Sequence, residues 1–261
     1  MQFRPCIDIH NGKVKQIVGS SLRDKGDVAA ENFVSEKGAA YYAELYKEKS
    51  LSGGHVILLN SRDSDYYEAT KAEAVSALKA FPDGMQIGGG ITDKNASEFL
   101  DAGASHVIVT SFVFRNGTLD RGNLSRLQSE VGREKIVLDL SCRKKTPDGP
   151  YFVVTDRWQN FTEFEVNVST LKMLSDECDE FLIHAVDVEG KGAGIDPELV
   201  KILSEVDSVP VTYAGGVRSL ADVDILRENG KDHVNFTVGS ALKLFGGTLE
   251  VDDLISASKN R

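Results

Sequence analysis

Two aspartates stand where carboxylates are costly. Asp8 ends the apolar run Pro5-Cys6-Ile7, and Asp139 lies within Ile136-Val137-Leu138-Asp139-Leu140. A carboxylate in such a run must be hydrogen-bonded, paired or exposed at a strand end. Either one alone reads as well as a loop cap. Together they lie 131 positions apart, close to half of the 261-residue chain, which places them at matching points of two similar halves. Two carboxylates facing one ligand from opposite sides suit proton removal at one atom and proton donation at another. They also suit a divalent cation with Asp187 as a further ligand. No His cluster with ligand spacing accompanies them, so acid–base chemistry without a metal is the preferred reading.

Glycines supply the second signal. Gly88-Gly89-Gly90 and Gly215-Gly216 each follow a β-rich run and precede a helical segment. Such a turn brings backbone N–H groups close to an anion, and the next helix adds its positive end. Thr110-Ser111 and Val238-Gly239-Ser240 end the following β-rich runs and can complete each cup with hydroxyl and backbone donors. Two cups on opposite sides of a mouth, with Asp8 and Asp139 between them, imply a long ligand phosphorylated at both ends. Gly190, Lys191 and Gly192, in the loop Glu189 to Asp196, can close over that ligand or form an ordinary flexible loop. His184, in Phe181-Leu182-Ile183-His184-Ala185-Val186, is either a core histidine or an orienting or proton-transfer group. Trp158 can stack on a heteroaromatic ring or bury one side of a loop, and Arg143 can meet substrate or a surface carboxylate.

The elements that must position these residues are eight short β-rich runs: 3–9, 55–59, 85–87, 106–110, 136–140, 181–186, 209–213 and 233–238. Helical spacing fills several gaps. Phe161, Phe164, Val168, Leu171 and Leu174 predict a helix over 162–178. Asp196-Pro197 supplies an N-cap and first-turn proline for a helix burying Leu199, Ile202, Leu203 and Val206. Ser219 and Asp222 have capping-box spacing. Alternating strands and helices favour a parallel sheet. Gly89 and Gly215 lie 126 positions apart, and Ser111 and Ser240 lie 129 apart, so the glycine and serine motifs repeat with nearly the offset of the aspartates. Two (βα)4 halves, about 1–130 and 131–261, close naturally into a single-domain (β/α)8 barrel; an open α/β sheet is the alternative. The stretch 143–160 breaks the pattern, with an extended piece over 151–155, and reads as a surface hairpin or an active-site loop.

Composition sets the outer bounds. The chain is 41% hydrophobic, enough to bury a substantial core, and its formal charge of −10 argues against broad nucleic-acid or anionic-membrane contact. Its three cysteines form no disulfide framework and point to a reducing compartment. No apolar run reaches the roughly 20 residues that span a bilayer. Together with an opening that leaves no room for a signal peptide, these features predict a cytoplasmic protein, and no interface motif argues against a monomer.

Taken in order, Pro5-Cys6-Ile7-Asp8-Ile9 with Asn11-Gly12-Lys13-Val14, Gln86-Ile87-Gly88-Gly89-Gly90-Ile91, Val137-Leu138-Asp139, Ala214-Gly215-Gly216-Val217 and Val238-Gly239-Ser240-Ala241 resemble the phosphoribosylformimino-5-aminoimidazole carboxamide ribotide isomerases of histidine biosynthesis, particularly their fungal and other eukaryotic forms. The resemblance covers nearly the whole chain. It implies a TIM barrel, a doubly phosphorylated imidazole carboxamide ribonucleotide as substrate, and an aldose-to-ketose Amadori rearrangement without cofactor. It also implies Asp8 as general base and Asp139 as general acid, a division that the half-chain symmetry leaves open. An acid needs a raised pKa with substrate bound. The chain departs from the bacterial pattern at His184-Ala185, which replaces a Thr-Asp pair, at Glu189-Gly190 and at His55 to Asn60. A strand-six hydroxyl role therefore does not transfer, and His184 stands in its place. The cyclase of imidazole-glycerol-phosphate synthesis is the enzymatic alternative, and a non-catalytic phosphosugar-binding barrel is the alternative from another class.

Overall fold

The computed structural model describes residues 1–17, 21–22, 27–156, 158–189 and 194–259. Among them, eight parallel strands alternate with eight helices. The strands are β1 (Cys6–His10), β2 (Gly54–Leu58), β3 (Met85–Gly88), β4 (Val107–Val109), β5 (Ile136–Asp139), β6 (Glu180–His184), β7 (Val211–Ala214) and β8 (Asn235–Phe236). The helices are α1 (Ala39–Glu48), α2 (Tyr67–Ala80), α3 (Ala96–Asp101), α4 (Arg121–Val131), α5 (Val168–Leu174), α6 (Pro197–Leu203), α7 (Leu220–Asn229) and α8 (Val251–Lys259). Each strand hydrogen-bonds its successor in parallel from β1 through β8. Closure comes from the residues just before β1: Phe3 bridges Phe236 in parallel, the Arg4 N–H donates to the Phe236 carbonyl at 2.8 Å, and the Phe236 N–H donates to the Gln2 carbonyl at 3.0 Å. The sheet is a closed (β/α)8 barrel, and its strands are the eight expected runs with ends moved by a few residues.

Alternation along the strands divides the barrel interior into three levels. On β6, Glu180 lies at the floor, Leu182 in the middle and His184 at the mouth. The floor is a buried polar network in which Arg4 pairs with Glu180, Gln86 donates to Glu180 at 3.0 Å and Thr212 donates to Glu180 at 2.7 Å. Above it Ile108, Val137, Leu182 and Ala214, with Ile57 packed against them, form an apolar layer. The larger hydrophobic core lies outside the barrel, where outward strand residues such as Ile7, Ile87 and Phe181 meet Tyr46, Phe99 and Leu203 on the helices.

Local chemistry sets the helix starts. Asp196 accepts from the Leu199 N–H and Pro197 follows as the first helical residue of α6, as the sequence predicts. Ser219 caps α7 through the Asp222 N–H, while the Asp222 carboxylate reaches the Arg218 N–H at 3.1 Å. The helix expected over 162–178 is shorter. Residues Asn160–Val166 form a strand, and α5 begins only after a reciprocal capping box between Asn167 and Thr170. Phe161 and Phe164 share helical spacing with Leu171 by coincidence; Asn160–Val166 instead pairs antiparallel with Tyr151–Thr155. With Cys142–Lys144 these make a three-stranded sheet inserted after β5, so the irregular stretch is a hairpin whose tip reaches the mouth. A second antiparallel extension, Lys13–Ile17 with Glu31–Val34, rises from β1.

Candidate active site

At the carboxyl ends of the strands, where the loops of such barrels build their sites, two cavities of about 460 and 640 Å³ share Asp139, Ser141 and Trp158 in their walls. The smaller holds Asp8, His184, Gly215, Gly216, Gly239 and Ser240. The larger holds Gly89, Gly90, Thr110 and Ser111. Each glycine cup therefore has its own chamber, and Asp139 belongs to both. Among the described residues no protein acceptor is found for the N–H groups of Gly90 and Ser111 in one cup, or of Gly216 and Ser240 in the other.

Glycine is required at the base of each cup. Gly89 has φ +96°, and a Cβ there would lie 2.0 Å from the Leu58 carbonyl oxygen; at Gly216, with φ +76°, it would lie 2.1 Å from that of Gly194. Charge at the rims differs. The Arg62 guanidinium donates to the Gly90 carbonyl at 2.9 Å and to the Thr92 hydroxyl at 3.2 Å, with no carboxylate partner among the described residues. Arg218, in the other chamber, lies 3.7 Å from Asp222.

The two aspartates sit in different surroundings. Burial pushes the Asp8 carboxyl up to about 7; His184 pulls it down in part and Glu189 pushes it further up. Burial acts on Asp139 in the same direction, but the nearby His184 and the hydrogen bonds from Ser141 hold it below the usual carboxylate range. Its Oδ1 accepts from the Ser141 N–H at 2.9 Å and the Ser141 hydroxyl at 2.8 Å, and lies 3.6 Å from His184 Nδ1. In the free site the raised carboxyl is thus Asp8, the residue expected to be the base, while the expected acid is held ionised.

Of the remaining candidates, Trp158 is carried by the hairpin tip and its ring lies 6.1 Å from that of His184. Arg143 lines neither cavity; it pairs with Asp187 at 3.1 Å, and Asp187 also accepts from the Lys144 N–H at 3.0 Å. Asp187 therefore anchors the inserted sheet rather than joining the aspartates, and among the described residues no three His, Cys, Asp or Glu side chains gather as metal ligands. Gly190, Lys191 and Gly192 lie outside the described residues. Sequence reasoning missed Arg62 and Arg218 at the rims, Gln16 on the extension from β1, and His55 and Glu189 as parts of the wall. The Arg218 position was signalled by its place two residues after the second glycine turn; Gln16 and Arg62 carried no local signal.

The chain matches the model of a family described as histidine biosynthesis protein over residues 2–249. It is 52% identical to a chloroplastic 1-(5-phosphoribosyl)-5-(5-phosphoribosylamino-methylideneamino)-imidazole-4-carboxamide isomerase of Medicago truncatula, over 98% of this chain and 81% of that one. Isomerases of the same name in Neurospora crassa and Saccharomyces cerevisiae are 46% and 44% identical, each covering 94% or more of this chain and 93% or more of their own. With a closed eightfold barrel, two glycine cups and two aspartates at one mouth, and with likeness of this extent, the chain belongs to the histidine-biosynthesis family.

Proposed function

We propose that the chain catalyses the Amadori rearrangement of the aminoaldose named in its relatives, a ribonucleotide of imidazole carboxamide bearing two phosphates, to the corresponding aminoketose. The observation that carries this reading is the pair of chambers meeting at Asp139: each offers one anion cup, so a ligand seated in both would bring its reacting ribose between them, beside Asp139 and the chamber that Asp8 lines. The names of the relatives favour an isomerase over a cyclase or a silent phosphosugar binder. The protein works in this reading as a cytoplasmic monomer without metal or other cofactor, its 261 residues one barrel domain with halves 1–130 and 131–261. Gly89, Gly90, Thr110 and Ser111 hold one phosphate, and Gly215, Gly216, Gly239 and Ser240 the other. Among the described residues no helix is long and apolar enough to cross a membrane.

Protons balance with one acid and one base. Asp139 protonates the ribose ring oxygen as the C1–O bond breaks and the exocyclic nitrogen lone pair forms C1=N. Asp8 takes the C2 proton, and the electrons released form the C1=C2 enolamine. The C2 hydroxyl then returns a proton to Asp139 while Asp8 protonates C1, leaving a ketone at C2 and both residues as they began. A base titrating near 7 is well matched to neutral operation. The test is turnover of the aminoaldose by purified protein without glutamine or ammonia. Asp8→Asn and Asp139→Asn are each expected to lower kcat by about 100-fold or more while sparing much of the binding; normal turnover in either variant removes that residue from the mechanism. Formation of imidazole glycerol phosphate from the aminoketose would instead establish a cyclase.

A further inference from the structure

The acid step needs a proton that Asp139 does not hold in the free site, and His184 stands beside it. We propose that His184 is a positioning residue that stores this proton: as an imidazolium it supplies Asp139 when the ring oxygen is protonated, and it recovers the proton when the C2 hydroxyl is deprotonated. The inference rests on the isomerase reading and gives a residue absent from the two-aspartate scheme a share in it.

Geometry carries it. The Nδ1 atom of His184 is buried and makes no hydrogen bond within the free chain; its nearest carboxylate oxygen is Asp139 Oδ1 at 3.6 Å. A small rotation closes that gap into a direct hydrogen bond, along which a proton can pass. The Asp139 oxygen is fixed from its other side by both donors of Ser141, so the carboxylate cannot swing away from the mouth. His184 ends β6 opposite the apolar layer and lines the chamber that holds Asp8, and its ring is flanked by Trp158 at 6.1 Å and His55 at 6.4 Å.

The charged surroundings favour the imidazolium. Asp8 faces the ring from β1, Asp139 from β5 and Glu189 from the loop after β6; His55 faces it from β2, and β7 brings Ala214 alongside without a charge. Burial opposes protonation of His184, but Asp139, Glu189 and Asp8 together raise its pKa above the ordinary histidine value. His55 does not compete for the proton, since burial and the His184 charge push its pKa down to about 3. The proton cycle needs no co-reactant, because what His184 gives up in ring opening returns at ketonisation.

Two measurements test the role. In the intact enzyme, kcat against pH is expected to fall on the alkaline side as His184 loses its proton. His184→Gln should move that limb to lower pH and cut kcat at pH 8 by about 100-fold, with KM within about threefold. Independently, NMR titration of isotopically labelled histidines should show His184 above its ordinary value of about 6.5, falling in Asp139→Asn. A His184→Gln variant with the wild-type profile overturns the inference while leaving the isomerase reading intact. So does a His184 titration indifferent to Asp139→Asn. Absence of turnover in the wild-type chain overturns the isomerase reading itself, and this role with it.

Discussion

Asp8, within β1, and Asp139, at the end of β5, face one mouth from opposite sides, and burial pushes both carboxyls up. The outcomes differ because their neighbours differ. Around Asp139 a histidine and a serine reverse the effect of burial; around Asp8 a second carboxylate, Glu189, adds to it. The rims differ as well, since Arg62 has no carboxylate partner among the described residues and Arg218 lies against Asp222. Two similar glycine cups can therefore stand beside two carboxyls with unequal proton affinity, and the difference is carried by the side chains around each.

The sharpest way to break the likeness of the cups is to fill them. Gly89→Ala and Gly216→Ala each combine a positive φ with a Cβ about 2 Å from a carbonyl oxygen. Backbone strain and overpacking, each about 1–3 kcal/mol, should add to a loss of several kcal/mol in urea unfolding in either half. A large loss in one variant and none in the other would show that the cups are not equivalent. The aspartates should diverge next. Asp8 has a folded pKa above its unfolded value, so its ionisation penalises the fold increasingly as pH rises from about 4 to about 7. Asp8→Asn should thus stabilise the protein at pH 8 by roughly 2–4 kcal/mol and by little at pH 4. Asp139 has a lowered pKa, so its ionised form contributes stability that is present above its unfolded pKa and lost as pH falls through the folded one. Asp139→Asn should lower the Tm at neutral pH, and equal Tm changes in the two variants would contradict the contrast. The smallest effect is expected at the rims. Arg62→Gln should raise KM by about tenfold with kcat little changed, and Arg218→Gln by less than about threefold, because Asp222 already offsets its charge.

The strands and the cups were legible in the sequence because each is a local pattern: a short apolar run, a glycine turn, a residue at its end. Asp196-Pro197 and Ser219 were legible for the same reason, since a cap is written within four residues. Asn167 and Thr170 carried the same kind of signal, but the spacing of Phe161 and Phe164 with the true helix concealed it. The neighbours that divide the aspartates were harder to read. Glu189 and His184 meet Asp8 only through barrel closure, and Gln16 reaches the mouth because a hairpin folds back from β1. Of the two readings open for Arg143, substrate contact or ion pair, the fold shows the pair with Asp187.

The greasy septum of Ile108, Val137, Leu182 and Ala214 separates the Arg4–Glu180 ion pair from the mouth. That partition insulates architecture from chemistry. A charge placed above it meets the bolt that fastens the staves only across that layer and through His55, which feels both Arg4 below and His184 above.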